Sequence, residues 1–207
     1  LDAMAGYSRM IPNSVSAPWP SALELVRALD NAKGLRLAYA PDIAAIGVDP
    51  ELEGICRTAA FGLAGDCAVV EEVDFDLSDA RDAYLTLRGE WMVGMQYRRL
   101  DNLDDFGTTL AGNVRSGLGI AMRKLAAAED MRTRVWHRYR KLFESYDALL
   151  MPMSPVSQFP VKKNFPDVIN GRKLKNYVDW IAGATLVTMA GIPAGSVPAG
   201  LSRAGLP

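Results

Sequence analysis

Serine and lysine are the residues whose chemistry has to be weighed first. Ser116 stands in the string RSGLG, Ser154 and Ser157 follow an apolar run closed by proline, and Ser196 sits in AGSVP. Lys162, Lys163, Lys173 and Lys175 lie close to the last three in the chain. A serine deprotonated by a neutral lysine is an acyl-transfer centre, in which the hydroxyl attacks a carbonyl and the lysine carries the proton. Such a lysine must be buried for its pKa to fall. All four lysines lie in the polar stretch 154–175, where they are expected to stay solvated and charged. Ser116 also lacks the G-x-S-x-G elbow that would lift a nucleophile out of a strand–helix turn. No catalytic residue is therefore assigned within residues 1–207.

The other chemistries are weaker still. His137 is the one histidine, set among Arg134, Arg138 and Arg140 on a charged helix face, and reads as a surface residue. No CxxC or HExxH pattern occurs, so no metal site is expected and no cofactor is called for. The two cysteines, Cys56 and Cys67, sit on stretches that look buried, and read as free thiols of a cytoplasmic protein. Lys and Arg total 23 against 24 Asp and Glu, so the near-neutral chain shows no footprint for nucleic acid or anionic lipid.

Any site must be positioned by the elements around it. Ser21 is placed to cap a short helix over SALELVRAL. LRLAYA (35–40) reads as a strand, Asp49-Pro50 as a helix start with an N-cap and a proline at the first position, and CAVVEEVDF (67–75) as a second strand. Strand, helix, strand with short joints is a βαβ unit with parallel strands. Ser78 is placed to cap a long helix whose apolar face is Ala80, Tyr84, Leu87, Trp91 and Met95. Glycines at 107, 112, 117 and 119 are expected to break the next segment into short pieces. A second long helix, 120–146, carries Leu125, Ala128, Met131, Val135, Tyr139 and Leu142 on one face. DALLMPM (147–153) reads as a buried strand, 154–175 as a polar loop, 177–190 as a helix and GSVP as a brief last strand between prolines.

One run demands separate treatment. Trp180 to Ser202, WIAGATLVTMAGIPAGSVPAGLS, carries no charge and is long enough to cross a bilayer. Pro193 and Pro198 exclude a continuous span, since each removes a helix donor and costs about 3 kcal/mol in a helix interior. No lysine follows the glycines, so it is not a phosphate loop. The expectation is a buried helix–turn–strand packing element. No secretory signal is expected, and Leu1 and Pro207 both look like cut ends.

Four strings together resemble one family. TMAGIPAGSVPAG with a following GLP is similar to the C-terminal signature N-x-x-G-x-P-A-x-S-V-P-x-G of the amidase signature hydrolases. FESYDALLMPMSPV resembles that family's "f..yD.LltPt.p" strand and loop. The stretch 35–75 resembles its "lrIgv…vdpev…Ga.vvev" unit, and LDAMAGYSRMIPNSVSAPWP its "LD.iaG" segment. Thr188 stands where the family commonly has asparagine. The resemblance implies an α/β fold, a mixed sheet sandwiched by helices, of which residues 1–207 form a C-terminal portion: a helix end and connector at 1–20, and a body over 21–207.

It also implies amide hydrolysis by acyl transfer through a Ser-Ser-Lys centre lying upstream, so that this chain alone would be inactive. What remains here is pocket wall. Trp180, Ile181 and Thr185 resemble positions lining the acyl channel in relatives, and Trp91 is a candidate from the other long helix. The implied partners are a small-molecule amide, the missing N-terminal half, and a possible second copy of the chain; neither nucleic acid nor a membrane is implied. Two alternatives stand: the amidase-like subunit of a tRNA-dependent glutamine amidotransferase, and a non-catalytic α/β binding module.

Overall fold

The centre of the molecule is strand β1, Arg36–Tyr39, in which Leu37, Ala38 and Tyr39 are all buried. The computed structural model describes Tyr7, Met10, Ser16 and residues 21–29, 31–174 and 177–207. The expected helix end at 1–6, most of the 7–20 connector and Lys175 lie outside the described residues. Helix α1, Ala22–Ala28, starts where Ser21 accepts the Glu24 N–H.

The βαβ unit forms as its local signals dictate. Helix α2, Pro50–Phe61, follows β1; the Asp49 carboxylate accepts the Glu51 N–H at 2.9 Å, and Pro50 fills a first-turn position whose N–H has no intrahelical acceptor. Strand β2, Val69–Glu72, then pairs parallel with β1, Leu37 opposite Val70. Helix α3 spans Arg81–Gln96, α4 Thr108–Leu118 and α5 Met122–Leu142. Strand β3, Ala148–Leu150, returns to the other side of β1, also parallel, with Ala38 opposite Leu149. The order is β2-β1-β3.

Alternation along β1 sends successive side chains to opposite faces. Tyr39 meets Phe61 of α2 edge-on at 6.0 Å. Ala40 and Leu149 join the opposite core, built from Leu77, Val135 and Tyr139 with Leu186 of helix α6, Ala182–Met189. Helices thus cover both faces of the sheet, as the α/β reading requires. The predicted α5 face is the buried one, with Ala128, Val135 and Tyr139 at its centre. Burial pushes the Tyr139 hydroxyl up to about 12.

Several expectations are corrected. On α3 the buried positions are Ala83, Thr86 and Gly89; Tyr84 and Leu87 pack against the core, but Trp91 and Met95 are exposed. The reason is α4: Gly107 and Gly119 bound it, and a 3₁₀ segment, Tyr97–Asp105, precedes it, but the helix runs unbroken through Gly112 and Gly117. Gly117 packs against Gly89 so closely that a methyl group on Gly117 would lie 2.3 Å from the Gly89 carbonyl oxygen. These small residues turn the buried face of α3 toward α4 after Leu87. The α3 start is also capped differently: Asp76 Oδ1 accepts the Ser78 N–H at 2.7 Å, and Ser78 begins a short 3₁₀ turn.

The polar stretch 154–175 contains a two-stranded antiparallel hairpin, β4 (Val168–Ile169) and β5 (Arg172–Lys173). Its turn is Asn170-Gly171, both at positive φ, the conformation a two-residue hairpin loop needs. GSVP is not a strand. Beyond α6, residues 193–201 have no regular secondary structure and are exposed, with Val197 at 82% and Leu201 at 66% exposure, so the expected buried packing holds for α6 alone. Pro193 and Pro198 have no N–H to offer a ladder, and no described strand lies alongside. Cys56 and Cys67 are free and only partly buried.

Candidate functional site

In the order β2-β1-β3, the chain leaves β1 toward one neighbour and returns on its other side. Ligands in open α/β sheets bind outside the carboxyl ends of strands at such a switch. The loops there are tightly held. After β1, Asp42 accepts the Gly47 N–H at 2.7 Å and those of Ala44 and Ile46 at 3.3 Å, fixing a turn in which Ala45 and Gly47 take positive φ. After β3, the Ser154 hydroxyl donates to the Val156 carbonyl at 2.8 Å, and the Asp49 N–H donates to that of Pro155 at 2.8 Å.

A cavity of about 410 Å³ opens on this edge, between the β1 loop, the start of α3, the hairpin and the start of α6. Two ion pairs organise it. Arg81 Nη2 meets Asp179 Oδ1 at 2.8 Å, with the Asp179 side chain only 9% exposed. Arg138 grips both oxygens of Asp79, at 2.6 and 2.7 Å, and these hydrogen bonds hold the Asp79 carboxyl below its ordinary range. Burial pushes the Tyr84 hydroxyl above its ordinary value.

A second cavity of about 310 Å³ adjoins it along α3, sharing Asp82, Leu85 and Val178. Its polar wall is a triangle of Arg88, Asn113 and Tyr177. Arg88 donates to Asn113 Oδ1 at 3.1 Å and to the Tyr177 oxygen at 2.8 Å, and Asn113 Nδ2 donates to the same oxygen at 2.7 Å.

Of the residues expected from sequence, Thr185 is buried in the wall of the larger cavity, its hydroxyl donating to the Ala182 carbonyl at 3.0 Å. Trp180 and Ile181, partly buried just before α6, are not in either wall; Trp180 meets Phe159 edge-on at 5.6 Å. Trp91 is 56% exposed and stands apart from both cavities. Of the serines weighed from sequence, Ser116 and Ser196 are exposed; Ser116 lies at the lining of the second cavity, which Lys124 also lines, Lys173 lines the first, and Lys163 pairs with Asp167 at 2.7 Å. His137 is exposed beside Trp136. Among the described residues no His, Cys, Asp or Glu group could hold a metal, and no helix is long and apolar enough to cross a membrane.

Sequence reasoning missed Arg81, Asp179, Arg88, Asn113 and Tyr177. Arg81 and Asp179 are 98 residues apart, and no local spacing announces such a pair. The one available signal was Arg81 and Arg88 at an interval of two helical turns on the same helix.

With this geometry, comparison with known proteins is decisive for the family. The family model described as Amidase matches residues 1–207, and the chain belongs to that family. It is 26% identical to an acylamidase of Rhodococcus erythropolis over 221 residues, covering 100% of this chain and 44% of the relative. It is also 26% identical over 233 residues to a glutamyl-tRNA(Gln) amidotransferase polypeptide of Brevibacillus brevis, covering 100% of this chain and 46% of that one. Its fold matches a bacterial aryl acylamidase of the amidase signature family with a TM-score of 0.76 at 22% identity, over 96% of this chain and 43% of that one. The chain thus spans less than half the length of these relatives.

Proposed function

We propose that residues 1–207 are the C-terminal portion of an amidohydrolase that cleaves carbon–nitrogen amide bonds by acyl transfer, its Ser-Ser-Lys centre lying outside this chain. The observation that carries the reading is the family match along the full 207 residues, in a chain whose described serines and lysines form no catalytic pair. This portion supplies the far wall of the pocket. Thr185 of α6 is the part of the acyl side already in a cavity wall, and Trp180, Ile181 and Trp91, which line neither cavity, join it only where the remaining chain completes the pocket. The exposed run 193–201, with Val197 and Leu201 outward, is the surface on which the remaining chain seats, because apolar side chains gain by leaving water.

The likeness to the amidotransferase polypeptide supports a second reading, in which the same acyl chemistry serves a glutamine donor and partner proteins. Glutamine-dependent activity that appears only with a co-purifying partner would select it.

The test is covalent labelling with a fluorophosphonate, located by peptide mass spectrometry. Residues 1–207 alone should take no label. A polypeptide extended upstream should be labelled on a serine outside them. Labelling of Ser116, Ser154, Ser157 or Ser196 would overturn the reading.

A further inference from the structure

Arg88 is a partly buried cation in a cavity, and no carboxylate among the described residues pairs with it. A guanidinium has five N–H donors. Arg88 gives one to Asn113 Oδ1 and one to the Tyr177 oxygen, and lies over the Tyr177 ring at 5.8 Å. Three N–H groups therefore remain without a partner among the described residues. The Tyr177 oxygen is equally informative. It accepts from both Arg88 Nη2 and Asn113 Nδ2, which occupies its two lone pairs and leaves its own proton to be given away. Both neighbouring side chains reach it as donors, so that proton needs another acceptor. Among the described residues the cluster thus lacks one thing, a hydrogen-bonded acceptor carrying negative charge.

The remaining walls say what bears that charge. Leu85, Gly89, Gly117, Ile120 and Val178 make one side apolar, and 310 Å³ admits a few carbon atoms behind a head group. Lys124 adds a second positive charge at the lining and Asp82 a negative one, leaving the lining, with Arg88, at a net charge of one. That balance suits a monoanion and opposes a dianion. We infer that this cavity binds a small organic carboxylate, its head group on Arg88 and the Tyr177 hydroxyl and its carbon tail against Ile120 and Val178. Asn113 is a positioning residue, holding Arg88 and Tyr177 in register. The inference goes beyond amide hydrolysis, and it is read by binding, so its failure and that of the hydrolytic reading are separate results.

The experiment is calorimetric titration of the 207-residue chain with sodium butyrate, with butyramide and inorganic phosphate as comparison ligands. Butyrate should bind saturably. Butyramide, the neutral isostere, should bind at least roughly tenfold more weakly, since it forfeits a charge-assisted hydrogen bond. Tyr177→Phe should weaken butyrate roughly tenfold, and Arg88→Gln should abolish saturable binding. Arg88→Lys, which keeps the charge and loses the fork, should fall between wild type and Arg88→Gln. Circular dichroism and denaturation midpoints of each variant separate lost binding from lost fold. Equal affinity for butyramide, tighter binding of phosphate, or unchanged binding in a folded Arg88→Gln variant would overturn the inference, as would no saturable binding to wild type at tens of millimolar butyrate.

Discussion

Arg81 and Arg88 are two turns apart on α3, chemically identical, and they face opposite circumstances. Arg81 closes on a nearly buried carboxylate, Asp179, and so ties the start of α3 to the turn before α6. Arg88 closes on a neutral amide and a phenol, with no carboxylate paired to it and three of its donors without a partner among the described residues. The difference separates structure from readiness to bind. Removing one partner of a buried ion pair leaves an uncompensated charge and is strongly destabilising, whereas a cation held by neutral groups contributes little net stability.

The most damaging way to test this contrast is to disturb the framework shared by both arginines. Gly117→Ala places a methyl group 2.3 Å from the Gly89 carbonyl oxygen and 2.8 Å from Val93 Cγ2, so α3 and α4 must separate. A loss of about 3 kcal/mol is expected from overpacking, read as a shift in the urea midpoint. A near-neutral result would mean that the helices are not in backbone contact there. The same variant should lose butyrate binding, because Arg88 and Asn113 sit on the two separated helices.

A pair of substitutions addresses the arginines themselves. Asp179→Ala strands Arg81, whose side chain is 33% exposed, and should cost about 2 kcal/mol, discounted from a fully buried pair for that exposure. Arg88→Gln should cost less, about 1 kcal/mol, because it removes hydrogen bonds to neutral groups and strands no charge. Equal losses, measured by chemical denaturation, would break the contrast.

The smallest effect is expected at Asp79, and it depends on pH. Hydrogen bonds from Arg138 lower the Asp79 carboxyl in the folded chain. A depressed carboxylate contributes stability above its unfolded pKa, about 3.9, and loses it as pH falls through the folded value. Both side chains are more than a third exposed, so the contribution is under about 1 kcal/mol. The difference in Tm between wild type and Asp79→Asn should therefore hold steady from pH 7 down to about 4 and shrink below it. A gap that widens in acid would contradict this sign.

Much of the framework was legible because its causes are local. Asp49 and Pro50 announce α2 within two residues, and the spacing of Ala128, Val135 and Tyr139 shows the inner face of α5. Asn170-Gly171 was an equally local hairpin signal within a stretch whose polarity suggested only a loop. What stayed hidden is non-local. The turn of the α3 face toward α4 follows from two glycines far apart in the chain, Gly89 and Gly117, meeting in space. GSVP has one strand former, Val197, but a strand needs a neighbour, and no described strand lies beside it. Of the four residues expected to line the pocket, Thr185 alone lies in a cavity wall, since the charged pairs and the Arg88 cluster join residues 25 to 98 positions apart.

The central claim is that this chain is a wall of an amidase pocket and not its reactive centre. The direct measurement is aniline release from a simple acylanilide, comparing residues 1–207 with a polypeptide extended upstream. The account predicts no rate above buffer for the first and a fluorophosphonate-sensitive rate for the second. A fluorophosphonate-sensitive rate from residues 1–207 alone would contradict it.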